Sequence, residues 1–203
     1  IMGWNFYNAS GELQINDGGV QAASAVFTGK VDLGSNLLVG NAGTTGIAIS
    51  ANGEVTMAAQ PTVFVPGTGS ASNATGDGTD YAMVFGGTER VDQNSDFDNV
   101  STFTAPVTGN YLFTVQIAVS GLSSMESSIA RFRVGGSGLF TGWIYDATTL
   151  GADSVNGLVS LGFSIIIDLD ASDAVTIALD ISGGSKAADV SLANSWLGVV
   201  LVS

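Results

Sequence analysis

The sequence predicts an all-β protein, and three observations carry that prediction. Apolar side chains recur at every second position, as in Tyr111, Phe113, Val115, Ile117 and Val119. Clusters of Gly, Asn, Asp and Ser interrupt such runs at short intervals. No stretch is long and amphipathic enough to read as a helix. Period two puts alternate side chains on opposite faces of a half-buried strand, and turn residues between many such runs indicate a sandwich or barrel.

In chain order, Phe6 to Ile15 reads as a hairpin with an Asn-Ala-Ser-Gly turn, and Ile47 to Met57 repeats that form with Ala-Asn-Gly at its tip. Asn-Gly is among the strongest hairpin cues. Val31 to Leu33 and Leu37 to Val39 are short strands between them. Each of these strands holds few apolar residues, and a lone hairpin is marginal in water. Winding with identical segments from neighbouring chains would supply the missing core. Residues 1–60 are therefore read as a fibre-like β shaft or attachment segment, and residues 61–203 as a head, with the division at Gln60–Pro61.

Within the head, the alternation of Tyr111 to Val119 recurs at Val159, Leu161, Phe163, Ile165 and Ile167, and again at Val175, Ile177, Leu179 and Ile181. Gly86-Gly87, Gly135 to Gly138, Asp170 to Asp173 and Ser182 to Lys186 are turns, where Gly supplies positive φ and Asn or Asp caps its own backbone. The last run, Trp196 to Val202, is apolar on both faces. That pattern places it in the middle of the sandwich or at a subunit contact.

Composition excludes several functions. The 203 residues contain no cysteine and no histidine, with 18 acidic against 5 basic side chains and a formal net charge of −13. Without cysteine there is no disulfide scaffold, thiolate nucleophile or thiolate zinc site. Without histidine there is no Ser–His–Asp triad. Arg90, Arg131, Arg133, Lys30 and Lys186 are too few and too scattered for a phosphate-binding stripe, so no nucleic-acid partner is expected. Charged residues make up 11% of the chain and apolar ones 45%, against roughly 25% charged in an average soluble chain. No apolar run approaches the ~18 residues of a membrane helix. Low charge without a membrane span points to surface buried against other copies, that is, a homo-oligomer. Residues 1–10 show neither the basic start nor the apolar core of a secretion signal.

The run Phe97, Phe103, Ala105-Pro106 and Gly109-Asn110-Tyr111-Leu112-Phe113 resembles the signature of the complement 1q globular head, a member of the tumour-necrosis-factor-like trimeric jelly rolls. Leu169 to Val175 is similar to that family's Leu-x-x-Gly-Asp-x-Val turn, with Ser172 in place of Gly. Ser195 to Leu201 is similar to its closing Phe-x-Gly-x-x-Leu strand. The resemblance covers residues 61–203 and implies a jelly-roll β-sandwich that trimerises around an apolar axis. Gly109 is expected where the chain turns in tightly, and Gly198 where another backbone or aromatic ring approaches closely. Residues 1–60 are similar in style to stretches that bacteriophage tail fibres carry before a receptor-binding tip.

These resemblances imply a trimeric virion fibre protein, exposed to the extracellular medium. Its head would bind a host-surface glycan or protein, and its N-terminal segment other virion proteins. The alternative is a purely structural virion protein, such as a capsid decoration or head fibre. No enzymatic activity and no membrane insertion are expected. Carboxylate pairs suited to glycoside hydrolysis occur in any acidic β-protein. The contact loops are expected at Gly67 to Asp80, Gly121 to Ser128 and Ile144 to Asn156, since loops on rigid sandwiches commonly carry recognition. Tyr81, Phe140, Trp143 and Tyr145 are the candidate sugar-stacking aromatics. Some relatives of the resembled family bind calcium. Asp92, Asp96 and Asp98 are the candidate ligands here, because calcium takes several oxygen ligands close together.

Overall fold

Regular structure in the computed structural model is almost entirely β. It describes residues 38–39, 46–49, 52–57, 59–122, 125, 127–134, 138–146, 149 and 157–203. A small antiparallel sheet comes first, with strand order β1 (Leu38–Val39), β2 (Gly46–Ile49) and β3 (Val55–Met57). The hairpin expected around Asn52-Gly53 is present, with Ile49 paired to Val55 and Ile47 to Met57. The hairpin read at Phe6 to Ile15 and the strand at Val31 to Leu33 lie outside the described residues.

Eleven strands build the head: β4 (Thr62–Pro66), β5 (Ala71–Thr75), β6 (Tyr81–Ala82), β7 (Val91–Asp92), β8 (Phe103–Thr104), β9 (Gly109–Ser120), β10 (Ser127–Val134), β11 (Gly138–Asp146), β12 (Val159–Leu169), β13 (Ala174–Ser182) and β14 (Ala188–Leu201). One antiparallel sheet runs β12-β9-β14-β4-β7, with β5 also on β14; the other runs β11-β10-β13-β6, with β8 also on β13. From β9 onward the chain crosses repeatedly between the two sheets. The jelly-roll sandwich implied for residues 61–203 is the fold of the head. A short 3-10 segment spans Gln93–Ser95.

Alternation decides which face is buried. Tyr111, Phe113, Val115 and Ile117 point inward from β9, while Leu112, Thr114 and Gln116 between them are half-buried on the outside. Val63, Val65, Leu197, Val199, Ile167 and Leu169 complete that side of the core; Val175, Ile177, Leu179 and Ile181 face them from β13. Phe103 fills the middle, its ring edge-on to Tyr111 at 5.4 Å and to Phe113 at 5.6 Å. Full burial of such a ring is worth roughly 1.5–3 kcal/mol, and an edge-to-face pair adds about 0.5–1.5 kcal/mol.

β14 lies at the centre of the first sheet, between β9 and β4. Its inward residues Leu197 and Val199 are buried, and its outward residues Trp196, Gly198 and Val200 are half-buried. The expected tight approach at Gly109 is real: a Cβ there would lie 2.6 Å from the Ser203 carbonyl. At Gly198 the expectation needs correction. A Cβ would find Phe64, Thr114 and Trp196 atoms at 3.8–3.9 Å, which is ordinary contact, so nothing within the chain requires glycine there.

Candidate functional site

Register places the ends of the strands. Ser127 pairs with both Ser182 and Asp146, Val159 with Val119, Asp189 with Ser120, and Ala188 with Thr75. All the loops that follow or precede these residues therefore gather at one end of the sandwich. They include Gly76 to Asp80 and the described parts of the regions Gly121 to Ser128 and Ile144 to Asn156, and also residues 183–187, which the sequence marks only as a turn. Gly67 to Gly69, the start of the other expected region, lie instead against the middle of β14, where Gly67 N–H donates to the Ser195 carbonyl and Ala193 N–H to the Gly69 carbonyl. Residues 147–148 and 150–156 lie outside the described set.

The cluster is tied together from below. Thr75 is fully buried; its hydroxyl donates to the Thr79 carbonyl at 2.7 Å and accepts the Ile181 N–H at 3.0 Å. The N–H groups of Gly76 and Gly78 both donate to the Ile181 carbonyl, and Gly184 N–H donates back to Gly76. At Gly76 (φ +133°) a Cβ would lie 2.3 Å from the Ser185 carbonyl and 3.0 Å from the buried Met125 methyl. At Gly121 it would lie 2.5 Å from the Ala187 carbonyl. Close backbone packing thus fixes three connections to one another. Above this floor Asp77, Thr79, Ser185 and Lys186 are exposed. The Thr79 side chain and backbone N–H hold the Asp77 carboxylate below its ordinary value, with a small contribution from Lys186.

The chain enters at the opposite end. Gln60 Nε2 donates to the Leu201 carbonyl at 2.8 Å, and Leu201 N–H to the Pro61 carbonyl. β4 then runs from Thr62, paired with Val200, toward Pro66, paired with Trp196.

Asp92, Asp96 and Asp98 belong to this entry end. The Asp92 carboxylate accepts the N–H groups of Asp96 and Phe97 at 2.9 and 3.3 Å. Asp98 Oδ1 accepts those of Val100, Ser101 and Thr102 at 2.9, 2.7 and 2.9 Å. Both side chains build their own loop. Burial raises the Asp98 carboxyl, but its three backbone donors outweigh that and hold it below the ordinary value. Asp96 is buried with Oδ2 unpartnered. Burial raises its carboxyl and the Asp92 charge raises it further, against an opposing hydrogen bond from Asn94. Among the described residues no three acidic side chains converge closely enough to hold a metal ion.

The four candidate aromatics do not form one platform. Tyr81 pairs with Leu179 on β6, at one edge of the second sheet. Phe140, Trp143 and Tyr145 lie on β11, at its other edge, opposite Phe132, Ala130 and Ser128. Phe140 and Tyr145 are about half exposed, and Tyr81 is half-buried.

One surface follows from register and was not expected from the sequence. On the outer side of the first sheet, Ile166, Leu112, Val200 and Thr62 form one cross-strand row. Ser164, Thr114, Gly198, Phe64 and Val91 form the next, and Gly162, Gln116, Trp196 and Pro66 the third. No position in the three rows is charged. Phe64 and Trp196 pack with their rings tilted by 51° and their centroids 5.7 Å apart, while Phe64, Val91 and Ile166 are exposed. The sequence signal was the apolar outer face of Trp196 to Val202.

No protein-family model matches the chain, and no curated protein matches it. Solved structures similar to it include the globular domain of zebrafish complement 1qA protein, with a TM-score of 0.48 and 15% identity over 71% of this chain and 98% of that one. Murine APRIL at pH 8.5 is also similar, with a TM-score of 0.47 and 12% identity over 70% of this chain and 98% of that one.

Proposed function

We propose that the chain is a homotrimeric virion fibre protein of the tail-fibre kind, whose head binds a host-cell surface glycan. The observation that carries this reading is the polarity of the head. Most of the candidate contact loops gather at one end, and the N-terminal segment enters at the other, so a shaft built from that segment would present those loops outward.

Self-association has its own support. Three adjacent rows of the first sheet's outer face are charge-free on a chain of net charge −13, with Asp168 and Asp189 only beyond them, so copies can meet along those rows with little like-charge repulsion. β11 and β12 are the outermost strands of their sheets. Along that open side Leu161, Phe163 and Ile165 remain half-buried and Phe140 is exposed. A face and an edge are different surfaces, and packing one on the other is heterologous association, which closes into a ring when the rotation permits. Three weak glycan sites on one rigid trimer then gain avidity through effective concentration.

Light scattering after size exclusion, with and without a calcium chelator, and a glycan array probed with the full chain test the reading together. The expected mass is about 61 kDa, three times the 20.5 kDa chain. Array binding should be lost in Asp77→Ala/Lys186→Ala at the loop end and retained in Asp170→Ala at the entry end. A 20.5 kDa mass would overturn the reading, and a trimer that binds no glycan would leave a structural role instead.

A further inference from the structure

We infer that the β1–β3 sheet packs its apolar face against the same face of two other copies, so that the segment before the head forms a three-sided β shaft. The inference rests on the trimeric reading above. Register defines the face: Leu38 pairs with Ile47 and Ile47 with Met57, while Ile49 pairs with Val55. Directly paired residues share a side of a sheet and alternate positions along a strand return to it. Leu38, Ile47, Ile49, Val55 and Met57 therefore occupy one side. Val39, Gly46, Ala48 and Thr56 occupy the other, where residues are mostly small. One side is uniformly large and apolar, and neither carries a charge.

Within the single chain β3 is open on both sides: Val55 is 63% exposed and Met57 45%, and Thr56 between them is exposed too. Strands of two, four and three residues cannot hold a sheet in water unless one face is covered, because so short a sheet buries too little on its own.

The position of the connecting residues selects the occupant. Asn94 Nδ2 donates to the Ala59 carbonyl, and Gln60 is tied to Leu201. The chain then enters β4 at Thr62, which sits in the charge-free outer row beside Val200. Residues 59–61 thus emerge at the rim of the surface through which the heads meet. A trimer of heads brings three copies of β1–β3 to one place, at an effective concentration no separate partner matches.

The chain has no cysteine, which permits a direct test on the full-length chain. Met57→Cys and, separately, Val55→Cys place a thiol on the apolar side, and Thr56→Cys places one on the opposite side. Each is treated with a short bis-maleimide, read on a denaturing gel, and weighed by light scattering. The expected result is a 61 kDa particle in which Met57→Cys and Val55→Cys give roughly tenfold more linked dimer than Thr56→Cys, as effective concentration dictates. A trimeric mass with equal linking, or none, on both sides overturns the shaft and leaves the trimeric head standing. A monomeric mass overturns both.

Discussion

Ser172 sits at φ +77° in the turn between β12 and β13. Its N–H donates to the Ala105 carbonyl at 2.7 Å, while Asp173 N–H donates to Asp170 and Asp170 N–H to the Asp173 carboxylate. The neighbouring bonds hold this backbone conformation although a Cβ there costs about 1–2 kcal/mol. The resembled family places Gly at this position, and the structure supplies the physical reason. Ser172→Gly should raise stability by about 0.5–1 kcal/mol once the greater freedom of glycine in the unfolded chain is offset. Urea denaturation checks it, and an unchanged or lower midpoint would refute the strain. The turn was legible because Leu169 to Val175 carries its pattern locally. The roles of Asp92 and Asp98 were not, since spacing alone does not tell whether carboxylates face an ion or their own backbone N–H groups.

β14 shows the same division among elements. Its apolar run and central place were readable from Trp196 to Val202, but its interruption was not. Ser191 pairs with Ala118 and Trp196 with Gln116, so residues 192–195 form an enlarged bulge. The buried Ser195 hydroxyl stitches it closed, donating to the Ser191 carbonyl at 2.8 Å and accepting the Ala118 N–H at 3.0 Å. Gly67 N–H donates to the Ser195 carbonyl and Ala193 N–H to the Gly69 carbonyl. The bulge lets β14 exchange partners, from β5 on one side of it to β4 on the other. Ser195→Ala should cost about 1–3 kcal/mol, the price of unpaired buried groups, read as a lower urea midpoint at constant slope. A cost near zero would mean that the neighbouring main-chain bonds hold the bulge alone. Nothing in Leu192-Ala193-Asn194-Ser195 distinguishes a bulge from a strand except two polar residues in an apolar run. The short strands β5 to β8 were unreadable for a related reason, since two to five residues carry no period.

For the molecule as a whole, acid charges dominate and their environments oppose one another. Glu89 is raised by burial and by the Asp92 charge, and Asp96 by burial and then Asp92. The folded state favours the neutral form of both. Their contribution to stability is complete in acid, and it is lost as pH rises from the ordinary carboxylate range through the raised folded values. Asp98 and Asp77 are lowered, so theirs is present above the ordinary range and lost as pH falls through the folded values. Asp96 is the buried member, and its Oδ2 has no partner. The Asp96 contribution should therefore make the wild type more stable as pH falls from neutral through its raised folded value toward the ordinary carboxylate range. Asp96→Asn should be the more stable at neutral pH and gain less on acidification. Urea midpoints across that range decide it, and parallel profiles for the two proteins would remove Asp96 as the cause. The net charge of −13 was plain from composition. Which carboxylates the fold buries depends on contacts between residues distant in the chain.

The tie between Gln60 and Leu201 means that the head's incoming and outgoing strands stand side by side, away from its loop cluster. A unit with adjacent ends behaves as a cassette: spliced into a surface turn of another protein, it need not stretch its host or disturb its own far end. Recombination can then move such a head between unrelated carriers intact, and substitution in the loops alters its far end while the seam to the carrier stays the same.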